Sequence, residues 1–423
     1  MNVGTATVTV SAAAASTKYS GTAQKTFVIN PAALTGMKLA KTEFIYNAFD
    51  PQPQTAEVAE VKAGELVVPA AQYTVEGNTK TDLGEYTVTV TGNTNFTGTA
   101  TTTFAIVKDD LPVKAEDTEN GEEVDNVTIQ VSVETDSQTG EKTVIVDQLD
   151  VNPASASQQV TVEIPSQING VNVGSIAAGA LGSATNVSDI YMPETGETAI
   201  EVSDNALETS DGKATVHAPI QLLDNYAKML PGHVGEKKVV SEVTQTAKRF
   251  WSFSCGVDVE LPAGVTANIV KANSESQVTS EPIKENVVKA NNGVLLEGEQ
   301  GVEYQLTALP ATSVGNDYAG NLLEPVIEKK HLGYGQGYYI LKDGKFYAIA
   351  NDADEIPSCK AVLHIAGANA RVIDLVFGDA TKITTTDFTD YTDGVFYDLN
   401  GRKIVTPTRK GIYILNGKKV VVR

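Results

Sequence analysis

The chain has 423 residues, with 32 Lys plus Arg against 53 Asp plus Glu and a formal net charge of −21. It is longer than one ordinary domain of roughly 100–200 residues, and its acidity repels phosphate backbones and anionic membrane surfaces. Nucleic acid is therefore not an expected partner, and the charge reads as a solvated surface that keeps a long chain soluble. No apolar run approaches the ~18 residues that cross a bilayer as a helix. The N-terminus lacks the charged and apolar regions of a signal peptide, so an exported form is expected to have lost its signal.

In chain order, the first signal is an internal repeat. Gly4-Thr5-Ala6-Thr7-Val8-Thr9-Val10 returns as Gly84-Glu85-Tyr86-Thr87-Val88-Thr89-Val90, and Thr26-Phe27-Val28-Ile29 returns as Thr103-Phe104-Ala105-Ile106. Tyr19-Ser20-Gly21-Thr22-Ala23 likewise matches Phe96-Thr97-Gly98-Thr99-Ala100. Alternating Thr and Val is strand chemistry with one face buried, and the Gly, Asn and Ser between are turn residues. Phe44-Ile45-Tyr46 and Ala71-Gln72-Tyr73-Thr74-Val75 precede the second copy, so residues 31–107 hold enough short strands for a β-sandwich. Residues 1–30 lack that beginning and are expected to be the tail of a truncated module. Through Tyr46-Asn47, Leu83-Gly84-Glu85-Tyr86-Thr87-Val88 and Asn95-Phe96-Thr97-Gly98, this stretch resembles the MBG-type bacterial Ig-like repeats of surface proteins.

Residues 108–125 are acidic, contain Gly and Pro, and read as a linker. From 126 to 238 the pattern changes. Val127–Glu134 and Glu141–Leu149 alternate around Asp136-Ser137-Gln138-Thr139-Gly140, which predicts a hairpin. Then Val162-Glu163-Ile164-Pro165, Ile190-Tyr191-Met192-Pro193 and Val216-His217-Ala218-Pro219 share an apolar-x-apolar-Pro pattern at spacings of 28 and 26. Ile176–Leu181 matches Val202–Leu207 between them. Such a period predicts coils that each offer a short strand and then an apolar turn. The pattern resembles the BspA-like leucine-rich repeats through Ile164-Pro165 and Ala180-Leu181, with Leu181 and Leu207 standing where that group usually has Phe. After Pro219, the residues Leu222, Leu223, Tyr226, Met229 and Leu230 recur at helical spacing, which predicts a short helix capping the stack.

Residues 239–378 carry strand-like runs separated by turn dipeptides such as Asn292-Gly293 and Asp343-Gly344, and read as an all-β domain. Asn292–Gly298 and Lys360–Leu363 resemble β modules that follow such repeats in secreted proteins. In residues 379–423, Val395–Arg402, Lys410–Ile414 and Asn416–Val422 resemble the end of C-terminal sorting domains of Gram-negative surface proteins. The expected fold class is thus mainly β and multi-domain, with an Ig-like β-sandwich, a short leucine-rich-repeat segment with a capping helix, and a C-terminal all-β domain.

Reactive chemistry is sparse in the sequence. Cys255 and Cys359 are the two cysteines, too few for a disulfide framework and without zinc spacing. A single bridge in an oxidising compartment and two buried thiols both fit. His217, His233, His331 and His364 show no H-E-x-x-H spacing, and His364 alternates with Leu363 and Ile365 as a structural strand residue would. There is no G-x-S-x-G elbow and no phosphate loop. Gly333-Tyr334-Gly335-Gln336-Gly337 reads as a tight turn beside packed aromatics, while Tyr334, Tyr338 and Tyr339 are the candidate ligand-binding residues, since tyrosine rings stack on the apolar faces of sugars. Asp387, Asp390, Asp393 and Gly394, and the nearby Asp352, Asp354 and Glu355, are acidic groupings without the EF-hand pattern. No catalytic, metal or cofactor residues are assigned.

Taken together, the resemblances imply a secreted surface protein of host-associated Gram-negative anaerobes. The expected function is a non-enzymatic, adhesin-like one, binding a host or matrix protein or a glycan at the cell surface or outer membrane. Two alternatives stay open from sequence. One is a carbohydrate-handling accessory or enzyme, because two positioned carboxylates among many acids leave no local signature. The other is a structural envelope stalk that associates through strand edges.

Overall fold

A computed structural model of the chain describes residues 2–422, except 153–156, 194–197, 204, 210–211, 213, 233–237, 246–249, 275, 311–317, 350–354, 378–383, 386–395, 398–402, 405–410 and 416–417; for 273, and from 377 onward, it describes the backbone alone. The chain is mainly β, with many sheets and, among the described residues, one short α-helix. It divides into two compact units, residues 1–113, 125–152 and 167–184 in one, and 114–124, 153–166 and 185–423 in the other.

In the first unit, the hairpin Gly4–Ser11 with Thr22–Ile29 forms a two-stranded sheet of its own. Residues 31–107 hold two larger sheets, beside two short pairings of Gln54–Thr55 with Thr79–Lys80 and of Ala32–Ala33 with Phe96–Thr97. Gly36–Leu39, Val58–Ala63 and Leu66–Val67 make one, and Glu43–Tyr46, Thr99–Lys108, Gly84–Gly92 and Tyr73–Glu76 make the other. Alternation aims one side of each strand inward. Leu39 and Ala56 meet Val88, Phe104 and Ile106 in one core cluster, and Leu34, Val61 and Val68 meet Val90, Phe96 and Ala100 in another. Phe44 packs edge-on against Phe104, ring centroids 5.6 Å apart. The predicted hairpin further along is present as Val127–Thr135 with Lys142–Val151, and Val144 to Val146 pair in parallel with Val173 to Ile176. Lys108 lies in this unit against Asp147, which also accepts from the Ser132 hydroxyl at 2.7 Å.

The stretch 108–125, read as a linker, carries strand pairing. Leu111–Pro112 pairs with Val127–Thr135 within the first unit. Ala115–Asp117 pairs with Val160–Glu163 within the second, where Ala115 and Val124 are buried. Acidic composition hid an apolar residue at each point where the chain joins a sheet.

In the second unit, Val160–Glu163, Val187–Tyr191, Thr215–His217 and Val239–Thr244 lie side by side in parallel. The apolar members of the repeated pattern, Val162, Ile164, Ile190, Met192, Val216 and Ala218, are all buried, as are Ala206 and Leu207 from the second matching turn; Ala180 and Leu181 from the first are buried in the first unit. After Pro219, one 3-10 turn at Ile220–Leu222 leads into the α-helix Leu223–Met229. Leu222, Leu223, Tyr226 and Leu230 are buried, and the Tyr226 hydroxyl accepts from the Ile200 backbone N–H at 3.1 Å.

The change in sequence pattern near residue 239 does not interrupt the sheet. Val239–Thr244 closes the parallel run and then pairs antiparallel with Glu303–Leu309, which continues through Asp258–Glu260 to Val287–Val288. The antiparallel partner satisfies backbone groups that the last parallel strand would otherwise present as an open edge. A separate nine-stranded sheet runs from Phe250–Phe253 to Leu323–Val326. Its core gathers Phe250, Val270, Leu295, Tyr339, Phe346 and Ile373. In the last stretch, Gly411–Leu415 pairs antiparallel with Lys418–Val422 in a five-stranded sheet.

Candidate binding faces

Residues 163, 191 and 217 are the middle positions of the three apolar-x-apolar-Pro segments. Their flanking residues point into the core, so period two turns these middle residues to the other face of the sheet. Parallel pairing then sets them in a row, Glu163 beside Tyr191, Tyr191 beside His217, and His217 beside Val240.

His217 is the centre of the row. Its ring stacks on Tyr191 with centroids 4.1 Å apart and planes 13° apart. Asp189, two residues before Tyr191 and on the same face, meets His217 Nε2 at 2.7 Å. Glu242, two residues beyond Val240, meets Nδ1 at 2.7 Å. Gln305, directly across from Glu242, donates to the same carboxylate at 3.0 Å. His217 is only 6% exposed. Burial disfavours its charge, but hydrogen bonds and attraction from Asp189 and Glu242 prevail and push its pKa up to about 9. Asp189 is lowered mainly by its hydrogen bond to His217, and Glu242 is lowered because His217 and Gln305 outweigh burial.

At neutral pH the group is an imidazolium donating from both nitrogens to two carboxylates. Neither ring nitrogen retains a lone pair for accepting a proton or a metal, so His217 is a positioning cation. Two carboxylates against one cation leave the group with a net negative charge. Tyr191 is 39% exposed above it. Burial, then Glu242, Asp189, Glu303 and Glu116, raise its hydroxyl pKa, which marks the face around the ring as acidic.

A second stack lies on the nine-stranded sheet. Tyr338 pairs with His364, and the rings stack at 4.3 Å and 19°. His364 Nδ1 meets Glu324 Oε1 at 2.6 Å. Burial, followed by Glu324, raises the Tyr338 pKa. Of the three tyrosines proposed from sequence, Tyr338 therefore sits with a histidine and a carboxylate. Tyr334 is 65% exposed on the preceding turn. Tyr339, the next residue after Tyr338, faces the opposite way and is 1% exposed in the core. Adjacent strand residues always diverge in this way, so its ring offers no face to a ligand.

Gly337 fixes where Tyr338 begins. Its φ is +80°, and a Cβ there would meet the Ile365 carbonyl oxygen at 2.2 Å. Gly337→Ala is expected to cost more than about 1 kcal/mol and to disturb the Tyr338–His364 stack. Thermal unfolding with a near-ultraviolet dichroism readout tests both effects.

Among the described residues, no three His, Cys, Asp or Glu are placed to hold a metal ion. His233, Asp352, Asp354, Asp387, Asp390, Asp393 and Gly394 lie outside the described residues, while His331 and Glu355 approach each other at 3.7 Å on an exposed edge. An open depression in the first unit is lined by Ile45, Tyr46, Phe49, Leu111 and Val131, with Asp109 as its charged residue.

The His217 group was missed in sequence because its members are spread over four strands. The available signal was the middle position of the repeat, which changes from Glu to Tyr to His while its neighbours stay apolar. No helix among the described residues is long and apolar enough to cross a membrane. No protein-family model matches the chain, and no curated protein matches it.

Proposed function

We propose that the chain is a non-catalytic, adhesin-like surface protein that binds a host or matrix protein or a glycan, and that the row Glu163–Tyr191–His217 is its contact face. The observation that carries this reading is the Tyr191 ring, partly exposed and held flat by a buried imidazolium between two carboxylates. A rigid aromatic ring offers apolar area at little entropic cost. Carboxylates beside it accept hydrogen bonds from hydroxyl groups, so a glycan suits the face well. In this reading the sandwich of residues 31–107 is an Ig-like spacer, the parallel run is a short BspA-like leucine-rich-repeat segment, and residues 379–423 are a sorting or anchoring module. Export to the cell surface follows from the same reading.

The test is a panel of glycans, mucin and matrix proteins presented to the intact chain. Saturable binding is expected, and Tyr191→Ala is expected to weaken it at least about tenfold, the loss of a hot-spot aromatic. Tyr338→Ala serves as the comparison at the second stack. Absence of saturable binding, or binding indifferent to Tyr191→Ala, removes the reading. Hydrolysis of a polysaccharide abolished by changing one carboxylate replaces it with an enzymatic one.

A further inference from the structure

We propose that Cys255 and Cys359 are a redox pair that closes to a disulfide when the chain folds in an oxidising compartment. Both are free thiols in this structure, both are buried, and their side chains are in hydrogen-bond contact. The segments that carry them are fastened together on either side. Ser254, just before Cys255, donates its hydroxyl to the backbone oxygen of Lys360, just after Cys359, at 2.6 Å, and accepts from the Val326 N–H at 3.2 Å. The Cys255 carbonyl accepts from the Asn291 N–H at 2.8 Å.

Two further observations concern the pair itself. Cys359 has φ +56°, in the left-handed region. That conformation suits Gly or Asn and is costly for other side chains, so the turn at Cys359 is a strained point of the backbone. Asp224 is buried beside the pair, and its Oδ1 has no hydrogen-bond partner. Its Oδ2 binds Lys228 at 2.6 Å. A Cβ on Gly256 would come within 2.3 Å of Oδ1, so Gly256 is what admits this carboxylate next to Cys255.

Contact with Cys359, then burial, with a contribution from Asp224, holds the Cys255 thiol well above its ordinary pKa. The attacking species in disulfide exchange is the thiolate. The folded interior suppresses that species, so the bridge forms while the segments are still open to solvent, and the native packing then encloses it.

The exchange balances with a disulfide of the general form RSSR as oxidant. The Cys255 thiolate attacks one sulfur, the RS–SR bond breaks, and one RS⁻ leaves. The Cys359 thiolate then attacks Cys255 Sγ, the mixed S–S bond breaks, and the second RS⁻ leaves. The protons released by the two cysteines end on the two RSH products, and the pair gives up two electrons to RSSR.

The experiment unfolds the reduced intact chain and refolds it by dilution into a buffer of reduced and oxidised glutathione. Remaining thiols are alkylated in denaturant, and a non-reducing digest is read by mass spectrometry. The expected result is no alkylated cysteine and a peptide carrying Cys255 linked to one carrying Cys359, while Cys255→Ser and Cys359→Ser each leave one thiol to be alkylated or capped. If the refolded chain keeps two thiols, or takes glutathione on both, the proposal is overturned. Where refolding is incomplete, the soluble refolded fraction is separated from aggregate before alkylation, and two surviving thiols in it overturn the proposal equally.

Discussion

Phe104→Ala is expected to destabilise the sandwich of residues 31–107 by about 3–5 kcal/mol, as for other large buried aromatics, whereas Phe27→Ala changes stability by no more than about 0.5 kcal/mol, as for surface sites. The two residues occupy the same place in a repeated sequence and in a repeated hairpin. Gly4 pairs with Ile29 and Ala6 with Phe27, just as Gly84 pairs with Ile106 and Tyr86 with Phe104. The registers coincide along the whole matching length. Their surroundings differ, because Phe104 is 1% exposed and packs with Leu39, Val88 and Ile106, while Phe27 is 49% exposed. Burial and packing, rather than strand propensity, therefore set the energy of this position. Hydrogen exchange followed by mass spectrometry separates the two. Peptides from Gly84–Gly92 should lose protection in Phe104→Ala and keep it in Phe27→Ala. Equal effects of the two substitutions would mean that the first hairpin is covered in solution.

That comparison also shows what sequence can and cannot disclose. Alternating Thr and Val identified the strands of both copies, and the repeat offsets placed the Gly, Asn and Ser turns between them. The apolar-x-apolar-Pro segments likewise marked the residues that the parallel run buries. In each case the information is local, because period two and a turn residue act within a few positions. Partner choice is not local. Nothing near Val239 announces that its strand joins Thr215–His217 on one side and Glu303–Leu309 on the other. The same limit hid the candidate site. Asp189, His217, Glu242 and Gln305 meet only after four strands align, and each alone reads as a surface or core residue. Tyr338 and Tyr339 are neighbours in the chain, yet alternation sets the first against His364 and buries the second in the core. Cys255 and Cys359, distant in the chain, fit a bridge or two separate thiols in sequence, and only the Ser254–Lys360 hydrogen bond brings their segments together.

The His217 group makes the stability of the second unit depend on pH with a defined sign. The folded pKa of about 9 lies above the ordinary value of 6.5. Protonation therefore favours the folded form, and the contribution is complete below about pH 6.5. It falls as pH rises and is gone above about pH 9, which amounts to about 3 kcal/mol at 1.36 kcal/mol per pKa unit. The acid side has the opposite slope, because Asp189 and Glu242 are lowered in the fold and lose their contribution when protonated. The maximum from this group therefore lies above the carboxylate range and below about pH 6.5.

Trp251, the chain's single tryptophan, belongs to the second unit and reports its unfolding by fluorescence. Denaturant midpoints measured from pH 6 to 9.5 should fall for the wild type and stay flatter for His217→Ala. That variant removes the cation and leaves Asp189 and Glu242 facing each other, at an expected cost of about 3–5 kcal/mol near pH 6, the penalty for breaking a buried ion pair. Nuclear magnetic resonance of the His217 ring supplies the independent check. Titration near 6.5 instead of about 9 would show that the two carboxylates do not hold the imidazolium. The Tyr191 ring would then lose the fixed charge on which it lies, and with it the physical basis for treating this face as preorganised for binding.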